Sequence, residues 1–573
     1  MADEGFLLLA LPDPCLLHVL QCCAANDQRS LFNAARAHSK LHQAAVVALR
    51  SISLHVSQQQ QIDGVMVYLG KHHQHVDSFE LVGAGAPSNQ LRQLPQQLQL
   101  TSLQLERLVL QLQPGNGFQS VLGAATAALK QLRLSICQLI GFGASQALGA
   151  LSQLPAGLEH LSIRELYGGG QSFPAGVLQQ LQQLTYLELD QVVLVRPDEA
   201  SPVLQPLQAL TRLVVLRLED VQGVVTCAML SGMQRLTHLG LSVYLQGFEL
   251  EPGALAGKTQ LQGLCLNKCS VLGGAAGVAQ LLSHLQPMQQ LTHLTLESSL
   301  QEVEGSNPPA AAYAALTASS KLQHLDIVGC TLPTGVWQYV FPTGRQLPNL
   351  RSLDITDVWE PPHLDIAPAP EASLLISCCP GLQSLKIGSL QGSAELLAAS
   401  EGLSGLRTLH CNFKDATTEK VQAVCQLTGL RELEVEGSGL MEEEGLLMQL
   451  TQLQQLTRLS YRDTGWPSNE IDLLGEAGVG VHNFSQIYGC IFACLSCLVA
   501  AACHIQQHQA GCMPCSSMSP LSLSGSGASL QPLDSKAPYV QDHKPPSMFC
   551  LHHLNGVVCM VRGSDDFTAR HFN

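Results

Sequence analysis

Charge is what this chain has least of. Only 13% of its 573 residues are Asp, Glu, Lys or Arg, about half the share soluble domains usually carry. Basic residues are the scarcer sign, 30 against 45 acidic, and the formal charge of −15 argues against the basic face that nucleic-acid phosphates demand. No nucleic-acid partner is expected. No secretory leader is expected either, because the apolar run Phe6–Leu11 is short and follows Asp3 and Glu4 instead of a basic region.

Catalytic signatures are also absent. There is no G-x-x-x-x-G-K-[ST], no H-E-x-x-H and no G-x-S-x-G, so no phosphate cradle, paired-histidine metal site or nucleophile elbow is written locally. The Gly-x-Gly of FELVGAGAP lacks a third glycine and a following helix, and reads as a turn between repeats. We expect no enzyme, no cofactor and no metal. Cysteine, by contrast, is plentiful. Eight of the 20 fall between Cys490 and Cys559, and several of the others take core positions in the pattern described next. Reduced thiols in the cytosol or nucleus fit better than an extracellular disulfide framework.

Leu and Gln fill the space that charge leaves, and they do so periodically. LEHLSI (Leu158–Ile163), LTYLEL, LVVLRL, LTHLGL, LQGLCL, LTHLTL, LQHLDI, LRSLDI, LQSLKI, LRTLHC, LRELEV and LTRLSY (Leu456–Tyr461) all obey L-x-x-L-x-L with apolar variants. Upstream, LERLVL (Leu105–Leu110) and LKQLRL (Leu129–Leu134) match, and VDSFEL and LRSISL match more weakly. About sixteen copies at a spacing of roughly 27 residues fall in the 20–29 window of leucine-rich repeats. In each copy the later apolar residues alternate with polar ones, so they point to one side of a short strand. One strand cannot bury that row alone. Stacked parallel strands at about 4.8 Å can, over a ribbon on the order of 75 Å. Stretches between them, such as FPAGVLQQLQQ and AAGVAQLLSHLQPMQQ, have helical spacing.

Over roughly 49–465 the chain resembles the leucine-rich repeat family. That family places Asn or Cys three residues after the last Leu of the motif; here Cys137, Cys269 and Cys330 stand there, but so do Leu166, Val192, Val221 and Leu390. The cysteine form resembles intracellular members. The expected fold is therefore α/β, a leucine-rich repeat solenoid (horseshoe) of about sixteen repeats, preceded by a small all-helical domain.

That small domain is LPDPCLLHVLQCCAANDQRSLFNAARAHSKL. Pro12 precedes an apolar stripe of Leu16, Leu17, Val19 and Leu20, and Asp27 is a reasonable N-cap for a second helix carrying Leu31 and Phe32. The stretch resembles an F-box, through Leu11-Pro12, the Leu16–Leu20 stripe, Asp27, Leu31, Ala34-Ala35 and Arg36. Gln28 and His38 depart from the family, which favours Leu and an aromatic at those positions. The order resembles F-box/leucine-rich-repeat proteins, substrate receptors of SCF-type ubiquitin ligases. The resemblance implies a Skp-type adaptor and cullin ligase core as partners, with Leu11, Pro12, Leu16, Leu17, Leu20 and Leu31 as adaptor contacts. The competing reading is a cap on the solenoid's open end, in a non-enzymatic scaffold of a cytoskeletal or ciliary assembly.

A protein substrate would dock on the concave face, where the polar positions of the strands point. Arg107, Arg133, His160 and Arg164 are expected to form an early basic patch there. His238, His293 and His324 recur at one motif position, with Tyr186 in the same column, and Glu432, Glu434 and Glu436 form a late acidic patch. The divisions expected are 8–48, 49–465 and 466–573. In the last, residues 477–503 carry no Asp, Glu, Lys or Arg; a membrane span at the low edge of the needed length competes with a helix packed on the solenoid end and with a poorly ordered tail, and no membrane partner is expected. Cys494-x-x-Cys497 and Cys512-x-x-Cys515, with His504 and His508 between, have a zinc-like spacing, but the first pair sits inside the apolar run. The Ser-rich stretch beyond Ser516 reads as low-complexity.

Overall fold

The computed structural model describes residues 11–26, 38–84, 89–111, 121–122, 128–140, 154–165, 172–191, 193–195, 204–221, 223–243, 248–300, 308–360, 365–366, 369–388, 396–397, 402–412, 418–436, 447–462, 480–483, 552–554 and 557–559. The chain divides into two units, Met1–Ile487 and Tyr488–Asn573. In the second, His552–Leu554 and Val557–Cys559 pair antiparallel. Cys494, Cys497, Cys512 and Cys515, with His504 and His508, lie outside the described residues, as do the apolar run except for residues 480–483 and Asp27, Leu31 and Arg36. Among the described residues no helix is long and apolar enough to cross a membrane.

The first unit lays down one strand per repeat. These are β1 (Ser51–Val56), β2 (Ser78–Gly83), β3 (Ser102–Glu106), β4 (Gln131–Ser135), β5 (His160–Arg164), β6 (Tyr186–Asp190), β7 (Val215–Glu219), β8 (His238–Ser242) and β9 (Gly263–Asn267). There follow β10 (His293–Glu297), β11 (His324–Asp326), β12 (Ser352–Asp354), β13 (Ser384–Gly388), β14 (Thr408–Asn412), β15 (Glu432–Glu436), β16 (Arg458–Arg462) and β17 (Gly480–Asn483). Each pairs in parallel with the next in chain order, in one 17-stranded sheet. This is a leucine-rich repeat solenoid.

Register explains why the motif works. Leu187 of β6 stands between Leu161 of β5 and Leu216 of β7, and Leu189 between Ile163 and Leu218. All six are fully buried. In the five-residue strands the second and fourth residues thus form two apolar columns, while the first, third and fifth point to the open face. Each buried Leu contributes about 1.5–3 kcal/mol relative to exposure.

A recurrent turn ends these strands. Arg107, Ile136, Glu165, Gln191, Asp220, Lys268 and Ser298, each directly after its strand, hold φ between 49° and 53°. None is glycine, so each sits in a region that costs L-residues roughly 1–2 kcal/mol. The offset is a hydrogen bond between rungs. Arg107 N donates to Ser135 O at 3.0 Å, Ile136 N to Arg164 O at 2.9 Å, Gln191 N to Glu219 O at 2.9 Å and Asp220 N to Ser242 O at 2.8 Å.

One residue further into this turn lies the family's Asn/Cys slot. The buried thiols of Cys137, Cys269 and Cys330 donate to Leu105 O, Leu241 O and Leu296 O at 3.4, 3.3 and 2.9 Å. In each case the acceptor is the carbonyl of the previous rung's last Leu. Ser299 makes the same bond to Leu266 O at 3.0 Å, so an unrecognised member of the ladder is a hydroxyl. Burial pushes the thiols up, to about 11, 12 and 11 in turn, and all three are free. They are structural donors.

Three expectations shift. The third strand is Ser102–Glu106, not the Leu105–Leu110 match, because LTSLQLERLVL contains two overlapping copies of the motif. Residues 109–111 instead pair with 90–91 and 138–140 in a narrow second sheet, a layer the repeat pattern did not announce. The segment Ala175–Gln180 is a 3₁₀ helix, whereas Gly274–Leu285 is the α-helix its spacing predicts. The main sheet also runs past Gly465, to Asn483.

At the front, α1 (Asp13–Asn26) packs on α2 (Ser39–Ala48), and Lys40 Nζ ties back to Asp13 at 3.1 Å. Leu16 and Leu20, each 1% exposed, join Leu41, Ala45, Leu49 and Ile52 in the same core as the repeats.

Candidate protein-contact face

The open face is built from the first, third and fifth positions of each strand, which register aligns into columns. In the first column, flat rings stack across rungs. His160 lies on Tyr186 with centroids 4.0 Å apart and planes within 7°, and His293 on His324 at 4.4 Å and 11°. His238 meets Gly263, its neighbour in register, where a Cβ would come within 2.7 Å of the ring. The glycine leaves the space this ring occupies.

Two copies of Leu-Thr-His-Leu build the same clasp. Thr237 Oγ1 sits 2.9 Å from His238 Nδ1 and donates to Val214 O at 3.2 Å. Thr292 Oγ1 sits 2.8 Å from His293 Nδ1 and donates to Gln262 O at 2.9 Å. A hydroxyl has one proton, so with the carbonyl taking it the ring N–H must be on Nδ1. That leaves Nε2 as an acceptor. Burial lowers the pKa of His160, His238, His293 and His324; Arg133 adds to this at His160, Arg217 at His238, His324 at His293 and Arg351 at His324. At all four the balance favours the neutral ring, against the opposing pull of Glu188 at His160 and of Asp326 at His293.

The third and fifth columns carry a dense network over β5–β7. Glu188, 3% exposed, accepts from Ser162 Oγ at 2.6 Å and from Tyr186 Oη at 3.2 Å. Arg164 and Arg217 each approach it to 3.7 Å, and Arg164 also reaches Asp190 at 3.8 Å. Burial, with Glu219 and Glu165 nearby, pushes the Asp190 carboxyl up to about 7 against the opposing pull of Arg164. Glu219, its partner in register, is raised too, chiefly by burial. Further on, Thr295 donates to Asp326 at 3.0 Å and Lys386 pairs with Asp354 at 3.2 Å.

This arrangement corrects the early basic patch. Arg107 is not on the open face: it occupies the left-handed turn after β3 and contacts Glu106 at 3.5 Å. Arg164 is matched by two carboxylates. Arg133 and His160 do stand on the face, at the third and first positions of adjacent strands. The column of His238, His293, His324 and Tyr186 is in register as expected, although His293 and His324 stack on each other and do not converge with Asp326.

The late patch is less acidic than its strand suggests. Glu432 and Glu436 face Arg458 and Arg462 in register, and Glu434 faces Ser460. On the other side Glu434 faces His410, whose Nε2 is 3.6 Å from Glu436 Oε1. His410 was missed from sequence. Overlaying LRTLHC on LRELEV puts it at the same motif position as Glu434, and that overlay is the signal that could have found it.

The N-terminal adaptor residues divide. Leu16 and Leu20 are interior, which corrects their assignment as partner contacts, because a side chain already packed in the core offers nothing to another protein. Pro12 is exposed, Leu11 and Leu17 are partly exposed, and Leu31 lies outside the described residues.

No protein-family model matches the sequence, and no curated protein does. Among solved structures the chain is similar to a leucine-rich repeat protein of Leptospira interrogans, at 17% identity over 78% of this chain and 92% of that one, with a TM-score of 0.42. It is also similar to TLR13, solved in a complex with ssRNA13, at 14% identity over 78% of this chain and 63% of that one, with a TM-score of 0.35.

Proposed function

We propose that the chain is a non-enzymatic protein-binding solenoid whose open sheet face takes a protein partner. The observation that carries this reading is the ordered polar surface over β5–β7. Its arginines, carboxylates and ring stacks are held by neighbouring rungs, so a partner meets groups already positioned, which lowers the ordering cost of association. The role is positioning, not bond-making. The test is affinity capture with the full chain against Arg133→Glu and Tyr186→Ala forms. The expected result is a protein retained by the wild type and lost from both variants; a wild type that retains nothing the variants do not also retain rejects the reading.

The finer form of this proposal is a receptor subunit of an SCF-type ubiquitin ligase. Its support is the F-box resemblance at Leu11-Pro12 and the position of that segment before the repeats. With Leu16 and Leu20 interior, the adaptor surface would centre on Leu11, Pro12 and Leu17. A Skp-type adaptor is expected to co-purify with the full chain and to be lost on Pro12→Ala combined with Leu17→Ser. The burial of Leu16 and Leu20 in the repeat core favours the second reading, a scaffold capped by its first helices. Absence of adaptor binding by the intact chain decides for that cap.

A further inference from the structure

We propose that the open face between Glu219 and Glu297 takes an arginine side chain of the protein partner, an inference that rests on the partner-binding reading and names the chemistry it leaves open. Register puts Glu219 of β7, Ser242 of β8, Asn267 of β9 and Glu297 of β10 side by side at the fifth strand position. Three rung spacings of about 4.8 Å set the two glutamates roughly 14 Å apart along the sheet, one on each side of the serine and the asparagine.

Small side chains make the floor. Gly240 and Cys265 are neighbours at the third position of β8 and β9. His238 closes the first-position side, its ring lying where a side chain on Gly263 would be. On the β7 side the stem of Arg217 passes beside Gly240, and its guanidinium reaches back to Glu188 at 3.7 Å.

The floor supplies the independent observation. Ser242 is 7% exposed and Asn267 9%, and neither Ser242 Oγ nor Asn267 Oδ1 has a hydrogen-bond partner. Buried polar atoms are almost always bonded, so two unpaired oxygens in adjacent rungs favour a donor brought by another molecule.

The surroundings say which donor. No Lys or Arg holds an open-face position from β8 to β11, whereas Glu297 and Asp326 do. Arg164 and Arg217 approach Glu188 and Asp190, and Lys386 approaches Asp354. Lys268 belongs to the left-handed turn after β9, not to the strand. Among the described residues neither Glu219 nor Glu297 forms an ion pair. Burial, and then the fields of Glu219, Glu297 and Asp326, push the Cys265 thiol up to about 11 against Arg217, so three carboxylates converge electrostatically on this floor. Arginine fits it better than lysine, because a planar fork of five N–H donors meets oxygens on two sides at once. Ser242 and Asn267 reach the fork by a change of rotamer.

The test uses the full-length chain at low ionic strength, where surface attraction is least screened. The probe is a fluorescent peptide, Ser-Gly-Arg-Gly-Arg-Gly-Ser, with its citrulline and lysine counterparts. Anisotropy titrations compare the wild type, Glu219→Gln with Glu297→Gln, and a control pair, with Tm as the fold control. The control, Asp63→Asn with Glu371→Gln, removes the same charge from exposed positions off the sheet. The arginine peptide is expected to bind about tenfold tighter than the citrulline peptide. The first pair should weaken it about fivefold or more and the control less than about twofold. Equal weakening by both pairs, binding no tighter than citrulline, or equal binding of the lysine peptide overturns the proposal. Should the double variant not fold, Glu297→Gln alone decides. Affinity capture separates the two readings. A wild type that captures no protein fails the earlier reading and this one with it, whereas a captured protein that the Glu219→Gln, Glu297→Gln form still retains fails this one alone.

Discussion

The neighbourhoods of Glu188 and of His410 use the same column of the same sheet and end differently. At β5–β7 a buried carboxylate is answered on every side, by Ser162, Tyr186, Arg164 and Arg217. At β14–β15 a buried imidazole nitrogen has carboxylates near it and no hydrogen bond. Buried polar networks stabilise when fully satisfied and are costly when partly so. The early network therefore holds the face in shape, whereas in the late one a ring nitrogen of the same column is left without a hydrogen bond.

The contrast should be confined to the open face, and the largest effect tests that. Leu187 and Leu433 are both fully or almost fully buried in the same apolar column. Leu187→Ala and Leu433→Ala should each destabilise by about 2–5 kcal/mol, measured by urea or thermal melts. A difference of more than about 2 kcal/mol between them would mean that packing, and not the polar face, separates the two regions.

Next in size is the polar contrast itself. Glu188→Ala takes the acceptor from two hydroxyls and the carboxylate from Arg217 at once, leaves Arg164 with Asp190 alone, and should cost about 2–4 kcal/mol. Glu434→Gln removes a negative charge from beside Glu432 and Glu436, and should change stability by less than about 0.5 kcal/mol. Equal losses in paired thermal melts would end the distinction between the two clusters.

The two clusters were also unequally legible. Leucine columns can be read from sequence because period-two alternation needs no knowledge of neighbours. The face needs register. Glu188 with Ser162 and Arg217, or His410 with Glu434, become pairs only when repeats of unequal length are aligned rung to rung. The run LTSLQLERLVL shows the limit, since two overlapping motif copies compete and the tie is broken by the turn at Arg107. That turn is invisible to a search for glycine. The same holds at the front, where the apolar stripe of α1 was plain but the direction it faces was not: Leu16 and Leu20 turn inward because α2 and β1 offer them an apolar wall.

Proton linkage sharpens the early half of the comparison. Asp190 has its folded pKa raised from the ordinary aspartate value to about 7, so in that window the folded chain binds more protons than the unfolded one. Stability from this group is full below about pH 4 and is lost as pH rises through about 7. Asp190→Asn removes the titration. The variant's Tm, relative to wild type, should therefore be higher at pH 8 than at pH 5 by about 2–4 °C. A Tm difference that does not change between these pH values rules out a protonated carboxyl within the network.

The smallest effect concerns the left-handed turn that ends the early strands. Arg107 holds φ of 52°, a conformation that glycine adopts without Cβ strain. Arg107→Gly relieves roughly 1–2 kcal/mol of strain in the folded state and gives back part of it through the more flexible unfolded chain. The net gain should be about 0.5 kcal/mol, a rise in Tm of about 1–2 °C. Arg107→Pro, by contrast, removes the N–H that donates to Ser135 O and forces φ to about −65°, and should lower Tm sharply. If glycine also destabilises, the Arg107 side chain itself is holding the turn. The rung-to-rung hydrogen bond would then be insufficient to explain why left-handed residues recur after strand upon strand.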